Sequence, residues 1–145
     1  MENQIYNPFL PLDEYIPDGE PHVFGNRVYI YGSHDKENGD KFCMLPYVAY
    51  SAAVDDLTNW RHEGVIYTNE EDPHVTASRK YMYAPDVVKG NDGRYYLYYS
   101  LEGYGKNYAN DGVISVAVSD SPGGRFRYLG DVRNADGSTS CTFRC

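Results

Sequence analysis

Two Pro-Asp pairs carry residue types that could do chemistry, one in Ile16-Pro17-Asp18-Gly19-Glu20-Pro21 and one in Tyr83-Ala84-Pro85-Asp86-Val87. Each acid sits just before or at the start of a short Val-, Ile- and Tyr-rich run, and the two lie 68 residues apart. A carboxylate can draw a proton from water, while further acids set charge and orientation. With aromatic faces around them, these are the parts that glycoside hydrolysis needs. An isolated Pro-Asp pair also makes an Asx turn that caps the start of a strand. Two at one repeat position favour a shared site.

The aromatic content fits such a site. The chain has 16 Tyr, 5 Phe and 1 Trp among 145 residues, and tyrosine, with its flat apolar face and polar tip, suits both strands and sugar-binding surfaces. Lys plus Arg number 13 against 21 Asp plus Glu, a formal charge of −8. That balance argues against a nucleic-acid partner, which calls for a basic face. Charged residues at 23% and apolar ones at 41% describe a globular chain. No apolar run approaches 18 residues, so no membrane partner is expected. The N-terminus MENQIYNPFLPLDEY lacks a basic region followed by an apolar one, and a cytoplasmic location is expected on that ground. Cys43, Cys141 and Cys145 form no CxxC or Cys/His spacing, so neither a disulfide framework nor a metal site is expected.

The elements that must position the acids are strands. No window keeps an i, i+3, i+4, i+7 apolar pattern behind a cap, whereas short alternating runs recur over 22–24, 27–31, 47–51, 65–67, 86–89, 95–100 and 113–119. Gly25-Asn26, Asp55-Asp56, Asn91-Asp92-Gly93 and Pro122-Gly123-Gly124 separate them as turns. The chain also repeats itself. Pro17-Asp18, Gly25, Arg27 and Tyr29-Ile30-Tyr31-Gly32-Ser33 match Pro85-Asp86, Gly93, Arg94 and Tyr96-Leu97-Tyr98-Tyr99-Ser100. Trp60 to Gly64 likewise matches Phe126 to Gly130, each an aromatic-x-x-x-Gly strand. A unit of roughly 67 residues with about four strands reads as one blade of a β-propeller. The predicted fold is therefore all-β, with about two blades of a propeller, and the acids at its channel mouth.

Here a family resemblance enters. Asn7-Pro8, the run Tyr15 to Gly25 and Val28 to Asp35 resemble the opening of glycoside hydrolase family 43, and Tyr83-Ala84-Pro85-Asp86-Val87 with Gly93 to Tyr98 is similar to that family's Trp-Ala-Pro-Asp-Val motif. The resemblance implies a five-bladed propeller acting as a β-xylosidase, α-L-arabinofuranosidase or arabinanase on xylose- or arabinose-containing plant saccharides by inversion. It implies Asp18 as the general base and Asp86 as a third acid that orients the proton donor. That donor is a glutamate of the third blade, and Glu102 falls too early to be it. Tyr83 stands where the family has Trp and would stack on a sugar, and His34-Asp35, which follows the inner strand, would make a polar contact at the pocket edge. Some members hold a calcium ion near the channel centre, but this chain offers no evident ligand, so no cofactor is expected, and a structural calcium in the full-length parent is left open.

The unit boundaries expected are 7–136 for the propeller segment, with blade one about 16–67 and blade two about 83–132. Residues 137–145 form an unpatterned tail that continues neither unit and reads as an artefact, so the chain is expected to be a truncated N-terminal piece. A carbohydrate-binding propeller without hydrolytic activity is the alternative from another class, and a protein-binding scaffold is a third. Glu70-Glu71-Asp72 reads as a solvated acidic loop, and Glu20 as a second group near Asp18.

Overall fold

The computed structural model describes residues 7–101 and 113–138. They form eight strands: β1 Glu20–Phe24, β2 Arg27–Tyr31, β3 Tyr47–Ala53, β4 Asp56–Tyr67, β5 Met82–Lys89, β6 Tyr95–Leu101, β7 Val113–Ser119 and β8 Arg127–Asp131. The strands make two antiparallel sheets, β1-β2-β3-β4 and β5-β6-β7-β8, each in simple meander order. A single 3₁₀ turn, Asn69–Glu71, lies between the sheets. The chain is all-β, as expected, and its two sheets are two propeller blades.

Local chemistry explains the elements. The β1–β2 hairpin closes on two residues, Gly25 and Asn26, with Phe24 opposite Arg27. Gly25 takes the left-handed φ of +65° that such a short turn requires. The β5–β6 connection is longer, with Lys89 opposite Tyr95. Gly90 N–H donates to Arg94 O at 2.8 Å, and the Asp92 carboxylate accepts from Arg94 Nε and Tyr96 OH, each at 2.7 Å. The repeated glycine of each outer strand marks a bulge. Ala49 faces Gly64 while Tyr50 faces His62, and Val116 faces Gly130 while Ala117 faces Tyr128. An extra residue on β4 and β8 tightens the twist at the same point of both blades.

Several strands run longer than the sequence reading, and β4 and β5 differ most. Strand β4 is continuous from Asp56, and its turn from β3 falls on Val54 and Asp55 rather than Asp55-Asp56. Strand β5 starts at Met82, so Asp86 lies inside it.

The tyrosines mostly serve the interior. Tyr29, Tyr31, Tyr47, Tyr50, Tyr67, Tyr95 and Tyr99 are buried, and the seam between blades is largely aromatic. Phe24 meets Tyr95 edge-on at 5.0 Å, and Tyr99 packs on Tyr67 at 5.1 Å and Tyr47 at 6.1 Å. Each such pair contributes about 0.5–1.5 kcal/mol beyond its buried area. The hydroxyls of Tyr31, Tyr67 and Tyr99 are bonded, whereas that of Tyr47 is buried without a partner among the described residues. Tyr31 OH donates to Pro122 O at 2.8 Å, and Phe126 N–H to Ile66 O at 2.7 Å.

The acidic loop contradicts its reading as solvated. Asp72 is 3% exposed. It accepts from Tyr99 OH at 2.6 Å and from His74 N and Nδ1 at 2.8 and 2.9 Å. Because Tyr99 gives its proton to Asp72, Tyr67 OH donates to Tyr99 at 2.8 Å. Burial and the Asp72 bond push the Tyr99 hydroxyl far above its ordinary range, so it stays a donor. His74 Nε2 then faces Asp131 at 3.4 Å, and Glu71 pairs with Arg125 at 2.6 Å. The inter-blade connection is thus pinned to blade two by its own acids. Only Glu70 of the three is exposed.

Candidate active site

Asp18 is set by a turn that lies directly on the end of β2. A Cβ added to Gly32 would stand 2.6 Å from Ile16 Cγ2 and 2.7 Å from Pro17 O. Glycine is required there, because any side chain would lift the turn away. Asp18 itself has φ +56°, a left-handed conformation that asparagine and aspartate tolerate best among non-glycine residues. Its Oδ2 lies 3.4 Å from Ser33 Oγ, the residue after Gly32.

The second blade approaches through β5. Its register shifts between Tyr83 and Asp86, and Ala84 adopts φ +42°. The Ala84 N–H points out to Ser33 Oγ at 2.9 Å. Pro85, which has no amide hydrogen, follows where a donor would go unused.

Between these segments lies a cleft of about 340 Å³, lined by Pro17, Asp18, Asp35, Phe42, Cys43 and Tyr83. Asp35 Oδ1 accepts the Cys43 N–H at 2.6 Å, which closes the loop after β2. Phe42 at the rim is 75% exposed. Burial pushes the Cys43 thiol up to about 11, a hydrogen bond from Ser33 opposes it, and Asp35 and Asp18 add to the rise. The thiol is therefore protonated at neutral pH. Two carboxylates and two aromatic faces share one concavity.

Of the residues expected at the site, the cleft brings together Asp18 and Tyr83. It leaves out Asp86 and His34. Asp86 is exposed, and its Oδ1 takes His22 Nε2 at 2.5 Å and its neighbour Val87 N–H at 2.8 Å. That bond ties β1 to β5. His34 is 9% exposed and turned inward. Its Nδ1 donates to Pro46 O at 2.6 Å, since a carbonyl can only accept, and its Nε2 lies 3.4 Å from Glu14. It braces the loop after β2 rather than edging the pocket. Phe42 and Ser33 are the additions, and of the His34-Asp35 pair it is Asp35 that lines the cleft. An exposed aromatic in the Gly39-Asp40-Lys41-Phe42 loop was the one sequence signal for Phe42. Among the described residues no three His, Cys, Asp or Glu side chains are grouped to hold a metal ion.

Two propeller blades with an acid-and-aromatic cleft at their junction define a carbohydrate-active class of protein. The chain belongs to the glycosyl hydrolases family 43, which it matches over residues 5–141. It is 54% identical over 138 residues to a xylosidase/arabinosidase of Thermoclostridium stercorarium, covering 95% of this chain and 28% of that protein. A Bacteroides ovatus xylosidase/arabinosidase is 38% identical over 127 residues, covering 81% and 36%. Among solved structures, a GH43 β-xylosidase/α-arabinofuranosidase from a compost microbial metagenome, in complex with xylotriose, superposes with a TM-score of 0.67 at 28% identity, covering 94% of this chain and 44% of that one. The GH43_1 enzyme from Xanthomonas citri complexed with xylotriose gives 0.66 at 27%, covering 83% and 33%. The chain therefore spans about a third of the length of such relatives.

Proposed function

We propose that these two blades belong to an inverting glycoside hydrolase acting on xylose- or arabinose-containing plant saccharides, with Asp18 as the general base. The observation that carries this reading is the place of Asp18: a carboxylate at a cleft mouth, faced by Tyr83 of the next blade, in a chain of family 43. The names of the relatives support the sugar class.

In the proposed reaction Asp18 takes a proton from a water held in the cleft, and the oxygen attacks the anomeric carbon from the face opposite the leaving group. An acid must protonate the departing oxygen, and in inverting enzymes it stands roughly 6.5–9.5 Å from the base to leave room for that water. The family resemblance supplies this acid as a glutamate of a third blade. The flat face of Tyr83 gives a sugar ring a stacking partner. Asp86 enters as a fixed negative charge at the blade junction. The donor-orienting role implied for it would have to use Oδ2, since Oδ1 is already engaged.

The test is Asp18→Asn in the complete enzyme that carries this segment. Loss of a general base costs about 10²- to 10⁴-fold in rate. It should slow natural linkages and activated aryl glycosides alike, because water must be deprotonated in both. Near-normal hydrolysis of an aryl xyloside or arabinoside by this variant would remove Asp18 from the role.

A further inference from the structure

Ser33 lies two residues past the second strand of blade one, and it is fully buried. Its hydroxyl lies between two residues from different blades, 2.9 Å from Ala84 N and 3.4 Å from Asp18 Oδ2. Both neighbours hold left-handed backbone conformations, at φ +42° and +56°. Backbone in that region persists only where its surroundings enforce it, and it clusters at functional sites.

The hydrogen-bond arithmetic is directional. A serine hydroxyl has two acceptor sites and one proton to give. The Ala84 amide can only donate, so it fills one acceptor site. The hydroxyl proton faces Asp18 Oδ2 at 3.4 Å, and a carboxylate can only accept.

We propose that Ser33 is a positioning residue for the base, giving Asp18 a hydrogen bond whose direction is set by the Ala84 N–H of the neighbouring blade. The proposal rests on the reading of Asp18 as the base and extends it. Docking of blade two thereby orients the proton acceptor of blade one. A hydrogen bond given to a carboxylate favours its charged form. The titratable groups facing Asp18 are Asp35 and Cys43 from the loop after β2 and Tyr83 from β5. Of these, Cys43 also bonds Ser33.

The experiment compares Ser33→Ala and Ser33→Cys with wild type in the complete enzyme, following kcat against pH, KM, and thermal melting. Ser33→Ala should lower kcat about tenfold and move the acid limb upward by about half to one pH unit. The direction follows from losing a bond to the charged form. KM should stay near wild type, because Ser33 is buried away from the sugar. Ser33→Cys keeps nearly the same shape but gives a poorer donor, so its limb should move the same way by less. If the alanine variant does not fold, the cysteine variant decides alone. A folded variant with a lower melting temperature and an acid limb within about 0.2 pH unit of wild type has lost only packing, and overturns the proposal. Asp18→Asn measured alongside separates the two claims. If it keeps aryl-glycoside turnover, the base reading falls and Ser33 with it. If it is inactive while the limb of the Ser33 variants is unmoved, only the Ser33 claim falls.

Discussion

Blade one and blade two repeat the same sequence pattern yet place its acid in different surroundings. In blade one the hairpin closes on two residues, so Glu20 pairs with Tyr31 and Asp18 falls beyond the ladder, beside Ser33. In blade two the longer β5–β6 connection shifts the register by two, and Asp86 pairs directly with Tyr98, the counterpart of Tyr31. The residue before the serine differs as well. Gly32 lets the Asp18 turn lie on β2, whereas the matching Tyr99 is a buried ring whose hydroxyl is committed to Asp72. Equivalent positions in a repeat share a strand, but turn length and one side chain decide whether the acid lines a cleft or clasps a neighbour.

The widest separation between the blades should be catalytic. Asp86→Asn should cost less than about tenfold on every substrate, against about 10²- to 10⁴-fold for Asp18→Asn. Kinetics on paired natural and aryl glycosides measure this. A large Asp86→Asn loss confined to natural linkages would erase the contrast and return Asp86 to the role of orienting the proton donor.

Next in size is the anchoring of the connection between blades. Asp72→Ala leaves the Tyr99 hydroxyl and the His74 ring without their acceptor, and should destabilise by about 2–4 kcal/mol. Glu70→Ala, two residues earlier and exposed, should stay within about 0.5 kcal/mol. Urea denaturation of both variants tests it, and equal losses would mean that the Asp72 network is not what holds the connection.

The two bulge glycines give a smaller contrast. Gly64 has φ +97°, whereas Gly130 has no positive φ, and an added Cβ meets nothing within 4 Å at either. Gly64→Ala should therefore cost about 1–2 kcal/mol through backbone strain alone. Gly130→Ala should be within about 0.5 kcal/mol of wild type. Similar melting temperatures for the two variants would refute a strain difference between the bulges.

The smallest effect concerns the hairpin turns. Hydrogen bonds from Tyr96 and Arg94 hold the Asp92 carboxyl down to about 2. A depressed carboxylate pKa adds stability above the unfolded value of about 3.9, and that stability is lost as pH falls toward 2. Amide exchange around the β5–β6 turn should quicken between about pH 4 and 2, while the Gly25-Asn26 turn, with no acid in it, should show no step in that window. An Asp92→Asn variant with an unchanged profile would disconnect the step from Asp92.

Much of this was legible in the chain itself. The Gly25-Asn26 and Asn91-Asp92-Gly93 turns announce hairpins by their backbone demands, and Gly64 and Gly130 recur because each marks the same bulge. Asp18 and Tyr83 carry motif context that leads to the cleft. What escaped is what depends on distant partners. Asp72 sits in an acidic run that looks solvated, and its burial follows from Tyr99, 27 residues on. Ser33 meets Ala84 across 51 residues and His22 meets Asp86 across 64. No local pattern announces those bonds, because they follow from how one sheet leans on the next. His34 was misplaced for a similar reason, its ring being taken up by Pro46 and Glu14.

The seam between the sheets has a consequence for how the chain comes to be folded. The bonds from Tyr31 to Pro122 and from Phe126 to Ile66 join residues 91 and 60 positions apart. Contacts of such separation close large loops before they return any stability, which slows folding. A nascent chain emerging N-terminus first has its first sheet complete at Tyr67 while Pro122 and Phe126 are still unmade. Until they arrive, the tyrosine-rich flank of that sheet has no cover, and this is the interval in which the growing polypeptide is most open to aggregation.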